Sequence, residues 1–238
     1  AQKGYSATRQ CQEVLISVID AIHECRHTSK NGALLSIDIR KAFDTVRHDY
    51  MTKVYEFFNL GPNIIRWLNL LGTKRQACVM LENDELSNYF DLEQGRAQGD
   101  NISPFSFNLA YQILMFKIQF DLQICSIVEE PVILDSLIPL EPQVRTQPPK
   151  IFAMADDATV LTRMEFASLQ KIKETLDSFG KISGLKCNIE KTVLMKIGSE
   201  DPIDPQIIEL GFSVNTELTL LGLTIENSTC NFQRGVDN

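Results

Sequence analysis

The sequence has no uninterrupted apolar stretch near the roughly 20 residues that a membrane-spanning helix needs, so no membrane partner is expected. Its first residues, Ala1-Gln2-Lys3-Gly4, carry neither an initiating Met nor a hydrophobic leader, and the chain reads as a piece of a longer polypeptide. Cysteine pairing is missing as well. Cys11, Cys25, Cys78, Cys125, Cys187 and Cys230 include no C-x-x-C pair, and His23, His27 and His48 are not spaced with them as zinc ligands would be. His23 and His27 stand at i and i+4, half of a metal pair on a helix, but no carboxylate or cysteine pattern completes it. The thiols therefore read as reduced residues of an intracellular protein. Positive charge is also scarce. With 23 Lys and Arg against 31 Asp and Glu, the net charge is −8, which weighs against a nucleic-acid partner because phosphate contacts need cations. The objection weakens if the acidity is gathered at a metal site. What remains, 44% hydrophobic and 23% charged over 238 residues, suits a globular chain long enough for one sizeable core.

Periodicity supplies the elements. Val14, Leu15, Val18, Ile19 and Ile22 mark one helical face within residues 8–27, and Asn31-Gly32 is expected to break the chain after it. Ala33 to Ile39 is an apolar run carrying Ser36 and Asp38, as in a buried strand that ends at a polar site. Helices are expected over His48–Asn59 and Asn63–Leu71, separated by Gly61-Pro62. Strands are expected over Arg75–Leu81 and Ser87–Leu92, joined by a turn at 82–85. Ser103-Pro104 has the form of a helix start, with Ser as cap and Pro in the first turn, and that helix should run to about Gln123. Residues 129–149 hold five of the nine prolines and read as a surface excursion. Lys150–Met154, Ala158–Leu161, Thr192–Ile197 and Leu218–Ile225 are strand candidates, and Glu165–Ile182 is a helix closed by Gly184. The alternation gives an α+β domain with helices on one face of a sheet.

Charge appears where burial is expected at two places: Asp38 at the end of an apolar strand, and Asp156-Asp157 between two more. Ionised carboxylates beside a core are costly unless something pairs with them. Two readings stand side by side. Asp-Asp is ordinary turn chemistry, and Asp38 suits the cap of a following helix. Alternatively, carboxylates from separate strands converge to hold two magnesium ions about 3.5–4 Å apart, as phosphoryl transfer requires.

The second reading meets a resemblance. Ser36-Ile37-Asp38-Ile39-Arg40-Lys41-Ala42-Phe43-Asp44-Thr45-Val46 resembles motif A of reverse transcriptases from non-long-terminal-repeat retrotransposons. Gly95-Arg96-Ala97-Gln98-Gly99-Asp100-Asn101-Ile102-Ser103-Pro104 with Phe107-Asn108 resembles motif B, and Phe152-Ala153-Met154-Ala155-Asp156-Asp157 resembles motif C. Ser183-Gly184-Leu185-Lys186-Cys187-Asn188 with Lys191-Thr192 is similar to motif D, and Leu220-Leu221-Gly222 to motif E. Gln2-Lys3-Gly4-Tyr5 with Arg9 looks like a fingers motif upstream of A. These segments come in the family's order and cover nearly the whole chain.

The resemblance implies a polymerase palm, an antiparallel sheet with helices on one face, plus part of the fingers. Residues 1–32 would be a partial fingers helix region and 33–238 the palm, with a fingers insertion around 47–95 and the thumb absent. It implies an RNA-directed DNA polymerase that adds deoxynucleotides to a DNA primer on an RNA template, with two Mg²⁺ ions, for which Mn²⁺ can substitute. Asp38 and Asp156 match its metal ligands, Asp157 the second motif C aspartate near the primer end, and the Ile39 carbonyl a further ligand. Phe43 matches the bulky residue below the sugar 2′ position, where an aromatic ring clashes with a ribonucleotide's hydroxyl; a core Phe is the other reading. Gln98 and Gly99 match residues against the incoming nucleotide and template, and Lys191 the lysine that neutralises or protonates pyrophosphate. Arg96 and Arg9 match positions that reach nucleic acid, although a solvated loop or helix-surface Arg fits either position. Asp44 is read as part of the helix start.

The pattern departs from the family at Met154, which replaces the usual aromatic of motif C. The parent's basic fingers residues and its thumb are not in this chain, and they would be partners within the parent polyprotein. A catalytically inactive scaffold that binds nucleic acid or protein is the alternative function, and a viral RNA-dependent RNA polymerase, which shares the palm, a weaker one; Ala155 and Phe43 argue against the latter by resemblance. Nuclear residence follows from the resemblance alone.

Overall fold

The computed structural model describes residues 11–73, 75–97, 99–127, 149–155, 157–226 and 233–234, with backbone alone at Cys11, Glu13, Asn83, Gln233 and Arg234. The proline-rich excursion expected at 129–149 falls outside the described residues except for Pro149. The chain divides into two compact units. One comprises Ala1–Asp38, Met115–Thr175 and Asn188–Asn238, the other Ile39–Leu114 and Leu176–Cys187.

The first unit is built on a five-stranded sheet. Its strands are β1 (Asn31–Ile37), β4 (Ile151–Met154), β5 (Asp157–Arg163), β6 (Val193–Gly198) and β7 (Ser213–Asn215), in the order β4-β5-β1-β6-β7. All pairs are antiparallel except β6–β7, which is parallel. Helix α1 (Cys11–His27) presents Val14, Val18, Ala21, Ile22 and Cys25 to Leu34, Phe152, Leu161, Met195 and Ile197 of the sheet. Leu34 and Leu35 point to opposite faces of β1 by strand alternation, yet both are fully buried, so the central strand is covered on both sides. Each such leucine contributes about 2 kcal/mol of transfer free energy. Burial also pushes the Cys25 thiol up to about 11, with Glu24 adding to the shift, which fits an inert core cysteine.

Two expectations change here. Asn31-Gly32 does not break the chain. The reversal comes earlier, at Ser29 with φ 50°, and Gly32 lies within β1 opposite Arg163, where a Cβ would sit 2.8 Å from Ile197 Cγ1. The Leu218–Ile225 segment is not one strand but a hairpin of β8 (Glu217–Leu220) and β9 (Leu223–Glu226). Its two central residues, Leu221 and Gly222, have φ 50° and 80°, the conformation that matches strand twist in a tight hairpin. Leu218, Leu220 and Ile225 turn inward to the same core as α1, and β10 (Gln233–Arg234) pairs with β9. Helix α7 (Pro205–Glu209), capped by the Asp204 carboxylate on the Gln206 N–H, and strand β7 were not foreseen.

The second unit is mainly helical. It holds α2 (Ala42–Thr45), α3 (His48–Phe57), α4 (Pro62–Gly72), the short hairpin of β2 (Arg75–Ala77) and β3 (Phe90–Leu92), and parts of two longer helices. Those are α5 (Ser103–Phe120), which belongs here up to Leu114, and α6 (Phe166–Ser183), which enters it at Leu176. Regular β2–β3 pairing covers only 75–77 and 90–92, shorter than expected. Beyond it the two segments meet at a bridge between Met80 and Leu86, with the Ser87 N–H on the Val79 carbonyl at 2.9 Å, around a tight turn at Glu82–Asp84. Helix α3 buries Tyr50, Met51, Val54 and Tyr55, and the Tyr50 hydroxyl donates to the Ala110 carbonyl at 2.9 Å.

Helix α6 ends at Gly184, with φ 84° and its N–H on the Gly180 carbonyl. A Cβ at Gly184 would lie 2.1 Å from the Thr45 carbonyl oxygen, whereas one at Gly222 would meet nothing within 4 Å. Both positions need a left-handed backbone, so the difference between them is steric. Gly222→Ala should cost about 1 kcal/mol and Gly184→Ala at least about 2 kcal/mol in urea unfolding. Equal losses would show that the close approach to Thr45 is not a constraint.

Candidate active site

The first unit brings two of the expected carboxylates to one end of its sheet. Strand β1 pairs with β5 from Gly32↔Arg163 to Ile37↔Ala158. Continued by one step, that register sets Asp38 opposite Asp157, and side chains directly opposite on antiparallel strands have Cβ atoms about 5 Å apart. Both aspartates are exposed. Strand β4 pairs with β5 up to Met154↔Asp157, and Ala155 follows β4 directly. Ala155 has φ 58°, an uncommon conformation for a residue with a Cβ and one that costs about 1 kcal/mol or more. Asp156 itself lies outside the described residues, as do Gln98 and Arg9.

Asp38 is held from its backbone. Its carbonyl accepts from the Asn188 N–H at 2.8 Å, and its N–H reaches the Thr192 hydroxyl at 3.4 Å. Thr192 is fully buried, and its hydroxyl donates in turn to the Asn188 carbonyl at 2.9 Å. Lys191 stands between these two anchors on the tight turn Ile189–Lys191, with its side chain exposed. The alternative reading of Asp38 as a helix cap is not realised, since α2 begins after Lys41 with no side-chain cap hydrogen bond. Asp44 lies in the first turn of that helix, where its N–H bonds to the Lys41 carbonyl.

The donor set suits a hard divalent cation. Carboxylate oxygens from neighbouring strands open to solvent, and the mutual repulsion of two anions this close is relieved by a cation between them. Among the described residues, no group of three or more His, Cys, Asp or Glu is gathered as a metal site.

The second unit holds the motif B-like loop against the segment after β1. The Arg96 N–H donates to the Phe43 carbonyl at 2.7 Å, and the Gly95 N–H donates to the Val46 carbonyl at 2.8 Å. Gly95 is required there, because a Cβ would sit 2.7 Å from the Asp44 carbonyl oxygen. Phe43 is half-buried and stacks on Phe107, with ring centroids 4.9 Å apart, and Phe107 stacks on Tyr111 at 5.6 Å. Ile39 is buried and bridges to Cys187. Gly99 is exposed, with φ 93° and open space where a Cβ would stand.

Two expectations about this loop are corrected. Arg96 neither reaches out to a phosphate nor sits solvated in a loop. It is 5% exposed, and its guanidinium donates to the Tyr55 hydroxyl at 2.6 Å, with a long 3.5 Å contact to the Leu68 carbonyl. The start of α5 is capped by Asp100 rather than by Ser103. One Asp100 oxygen accepts from the Ile102 and Ser103 N–H groups, and the other accepts from the Ser103 hydroxyl at 2.8 Å. Burial acts to raise the Asp100 pKa, but these hydrogen bonds and the charge of Arg75 outweigh it and hold the carboxyl below its usual range. The signal for this cap was in the sequence, since Asp three residues before Ser103 is itself cap chemistry.

A folded-state pKa held low means that the Asp100 contribution is present above the unfolded-state value near about 4 and disappears as pH falls through the folded value. Asp100→Ala should therefore destabilise the chain by about 1 kcal/mol at pH 7. The gap between variant and wild type should close at the acid end, below pH about 4. A gap that persisted undiminished at low pH would mean that the carboxylate is not the cap.

The family model described as reverse transcriptase (RNA-dependent DNA polymerase) matches residues 1–225. A Xenopus laevis protein named "Transposon TX1 uncharacterized 149 kDa protein" is 25% identical over 180 residues, 76% of this chain and 12% of that protein. The "Retrovirus-related Pol polyprotein from type-1 retrotransposable element R2" of Popillia japonica is 22% identical over 199 residues, 84% of this chain and 26% of that polyprotein. The chain thus spans about an eighth and a quarter of these two relatives. Among solved structures, the apo telomerase of Candida tropicalis truncated from its C-terminal domain aligns with TM-score 0.62 at 14% identity, covering 98% of this chain and 40% of that one. Telomerase of Candida albicans in complex with a fragment of telomeric RNA aligns with TM-score 0.64 at 10% identity, covering 98% and 34%. The fold is that of a polymerase palm. No helix among the described residues is long and apolar enough to cross a membrane.

Proposed function

The chain belongs to the reverse transcriptase family, and from that premise we propose that it is the palm, with part of the fingers around 47–95, of an RNA-directed DNA polymerase. The observation that carries the reading is the β1–β5 register, which supports Asp38 and Asp157 as facing carboxylates at one sheet end, with Asp156 next to Asp157 in the sequence. In this reading the primer 3′-hydroxyl attacks the α-phosphorus of a deoxynucleoside triphosphate. The new 3′-O–P bond forms as the bond to the β-phosphate oxygen breaks, and pyrophosphate leaves. Asp38, Asp156 and Asp157, with the Ile39 carbonyl, would hold two Mg²⁺ ions, which when bound supply charge neutralisation and in-line orientation, with Mn²⁺ as a substitute. Asp157 would line the primer end. Lys191, an exposed cation on the turn that brackets Asp38, would donate a proton to the leaving pyrophosphate or balance its charge. Gln98 and Gly99 would lie against the incoming nucleotide, where a glycine admits close backbone approach. Phe43 would exclude the 2′-hydroxyl of a ribonucleotide, its ring held by the stack on Phe107. Arg9 would lie near template or fingers. RNA template, DNA primer and deoxynucleotides are then the partners, joined in the parent polyprotein by further fingers and thumb segments, and the site of action is intracellular, in the nucleus.

Primer extension on an RNA template decides it. Extension should require Mg²⁺ and fall by about 10³-fold or more in Asp38→Asn and Asp156→Asn. If the wild-type chain extends no primer even when its fingers and thumb are restored, the inactive scaffold replaces this reading. A separate prediction concerns the sugar. Phe43→Ala should raise ribonucleotide use relative to deoxynucleotide use by about 10-fold or more, a loss of roughly 1.4 kcal/mol of discrimination. Unchanged discrimination would make Phe43 a packing residue only.

A further inference from the structure

Arg96 is a charged side chain kept almost wholly from water with no carboxylate paired to it among the described residues. Such a group is costly to bury, and its Nε has no hydrogen-bond partner. Asp100 acts on it only as a more distant charge, Arg75 repels it, and burial lowers its pKa from the ordinary value. The chain has shaped a seat for it nonetheless. Gly72, the last residue of α4, has no side chain where Arg96 lies, and a Cβ at that position would fall 1.2 Å from Nη1 and 2.2 Å from Cζ. Tyr55 of α3 accepts from Arg96 at 2.6 Å and donates to the Ser106 hydroxyl of α5 at 2.8 Å. One guanidinium thus ties three helices to the loop that carries Gly99, while the Arg96 N–H pins the same loop to Phe43.

We infer that Arg96 is a positioning residue: seated on Gly72 and Tyr55, its buried cation holds the loop from Gly95 to Ser103, and with it Gly99, in one conformation for the incoming nucleotide. The role assigned to Gly99 rests on the polymerase reading. The mechanical part does not. Lys is a poor replacement, because a single ammonium cannot span the Tyr55 hydroxyl and the Leu68 carbonyl as the planar fork does.

The test begins with a thermodynamic cycle between Gly72→Ala and Arg96→Ala. Gly72→Ala alone should lower Tm by about 5 °C or more, whereas in the Arg96→Ala background it should leave Tm unchanged or raise it, since Ala is the better helix residue. Amide exchange at 97 and 99–102 should then accelerate about tenfold in Gly72→Ala and in the milder Tyr55→Phe, under conditions where global unfolding is negligible. In primer extension, both variants should raise KM for deoxynucleotide about tenfold with kcat held within about twofold, and Arg96→Lys should not rescue the Arg96→Ala defect. Additive Tm losses, or unchanged loop exchange in folded Gly72→Ala and Tyr55→Phe, overturn the inference. If wild type extends no primer even with its fingers and thumb restored, the polymerase reading fails, while the cycle and the exchange rates still decide whether Arg96 holds the loop.

Discussion

Strand β1 is hydrogen-bonded on both edges, to β5 on one side and β6 on the other, and it is buried on both faces. A slip of one residue against either neighbour would move Leu34 off the α1 face and send Asp38 to the wrong side of the sheet. The register is therefore fixed by packing along the whole strand, and the position of the carboxylate at its end is a consequence of that packing. The same holds for Asp157, which starts β5 paired with Met154 of β4, one residue before the pairing with β1 begins at Ala158. Two acidic side chains that repel each other are held opposite by a core that neither belongs to. Stability and site geometry come from different residues of the same strands.

Past Ile37 the chain leaves the strand through Lys41, which has φ 45°, and enters α2 and then α3. Along this path the segment exchanges backbone hydrogen bonds with two others: the loop at Gly95-Arg96 and the segment that follows α6. Arg40 and Arg47 donate from their N–H groups to the carbonyls of Lys186 and Ser183, while Phe43 and Val46 accept from Arg96 and Gly95. Glycine stands at the two points where a carbonyl comes closest, Gly95 against Asp44 and Gly184 against Thr45. Sequence segments far apart along the chain are thus joined main chain to main chain, an arrangement that tolerates side-chain change between the anchors but not the addition of a Cβ at either glycine.

Much of this was legible in the sequence because it depends on local contrasts. An aspartate after an apolar run, and a pair of aspartates between two such runs, stand out whatever the rest of the fold does, and α1, α3, α4 and α6 follow from 3.6-residue periodicity. The failures share a cause as well. Gly32 looks like a breaker because glycine signals turns locally, while here it makes room for a side chain brought from elsewhere, that of Ile197. The β8–β9 hairpin was read as one strand because its turn is Leu221-Gly222, and a leucine with positive φ gives no sequence signal. Asp100 was passed over as cap because Ser103-Pro104 offers a nearer one, and the choice between them lies in where the loop approaches α5.

Arg96 is the instructive case. By type and position it reads as an exposed cation in a polar loop, available to phosphate, and the family resemblance encourages that view. Nothing local distinguishes it from such a residue, since its seat is made by Tyr55 and Gly72, 41 and 24 positions away in the chain. Exposed arginine acts on nucleic acid through charge, which salt screens and which any neighbouring cation can replace. Buried arginine acts through shape and a fixed set of donors, and it transmits the order of the surrounding helices to the loop that carries it. In a chain with net charge −8, removing one cation from the surface makes the electrostatic case for nucleic-acid binding weaker and the geometric case for an ordered site stronger. If the polymerase reading holds, recognition of a polyanion would rest on metal ions at the carboxylates and on how firmly the loop opposite Phe43 is held, rather than on a field spread over the protein surface.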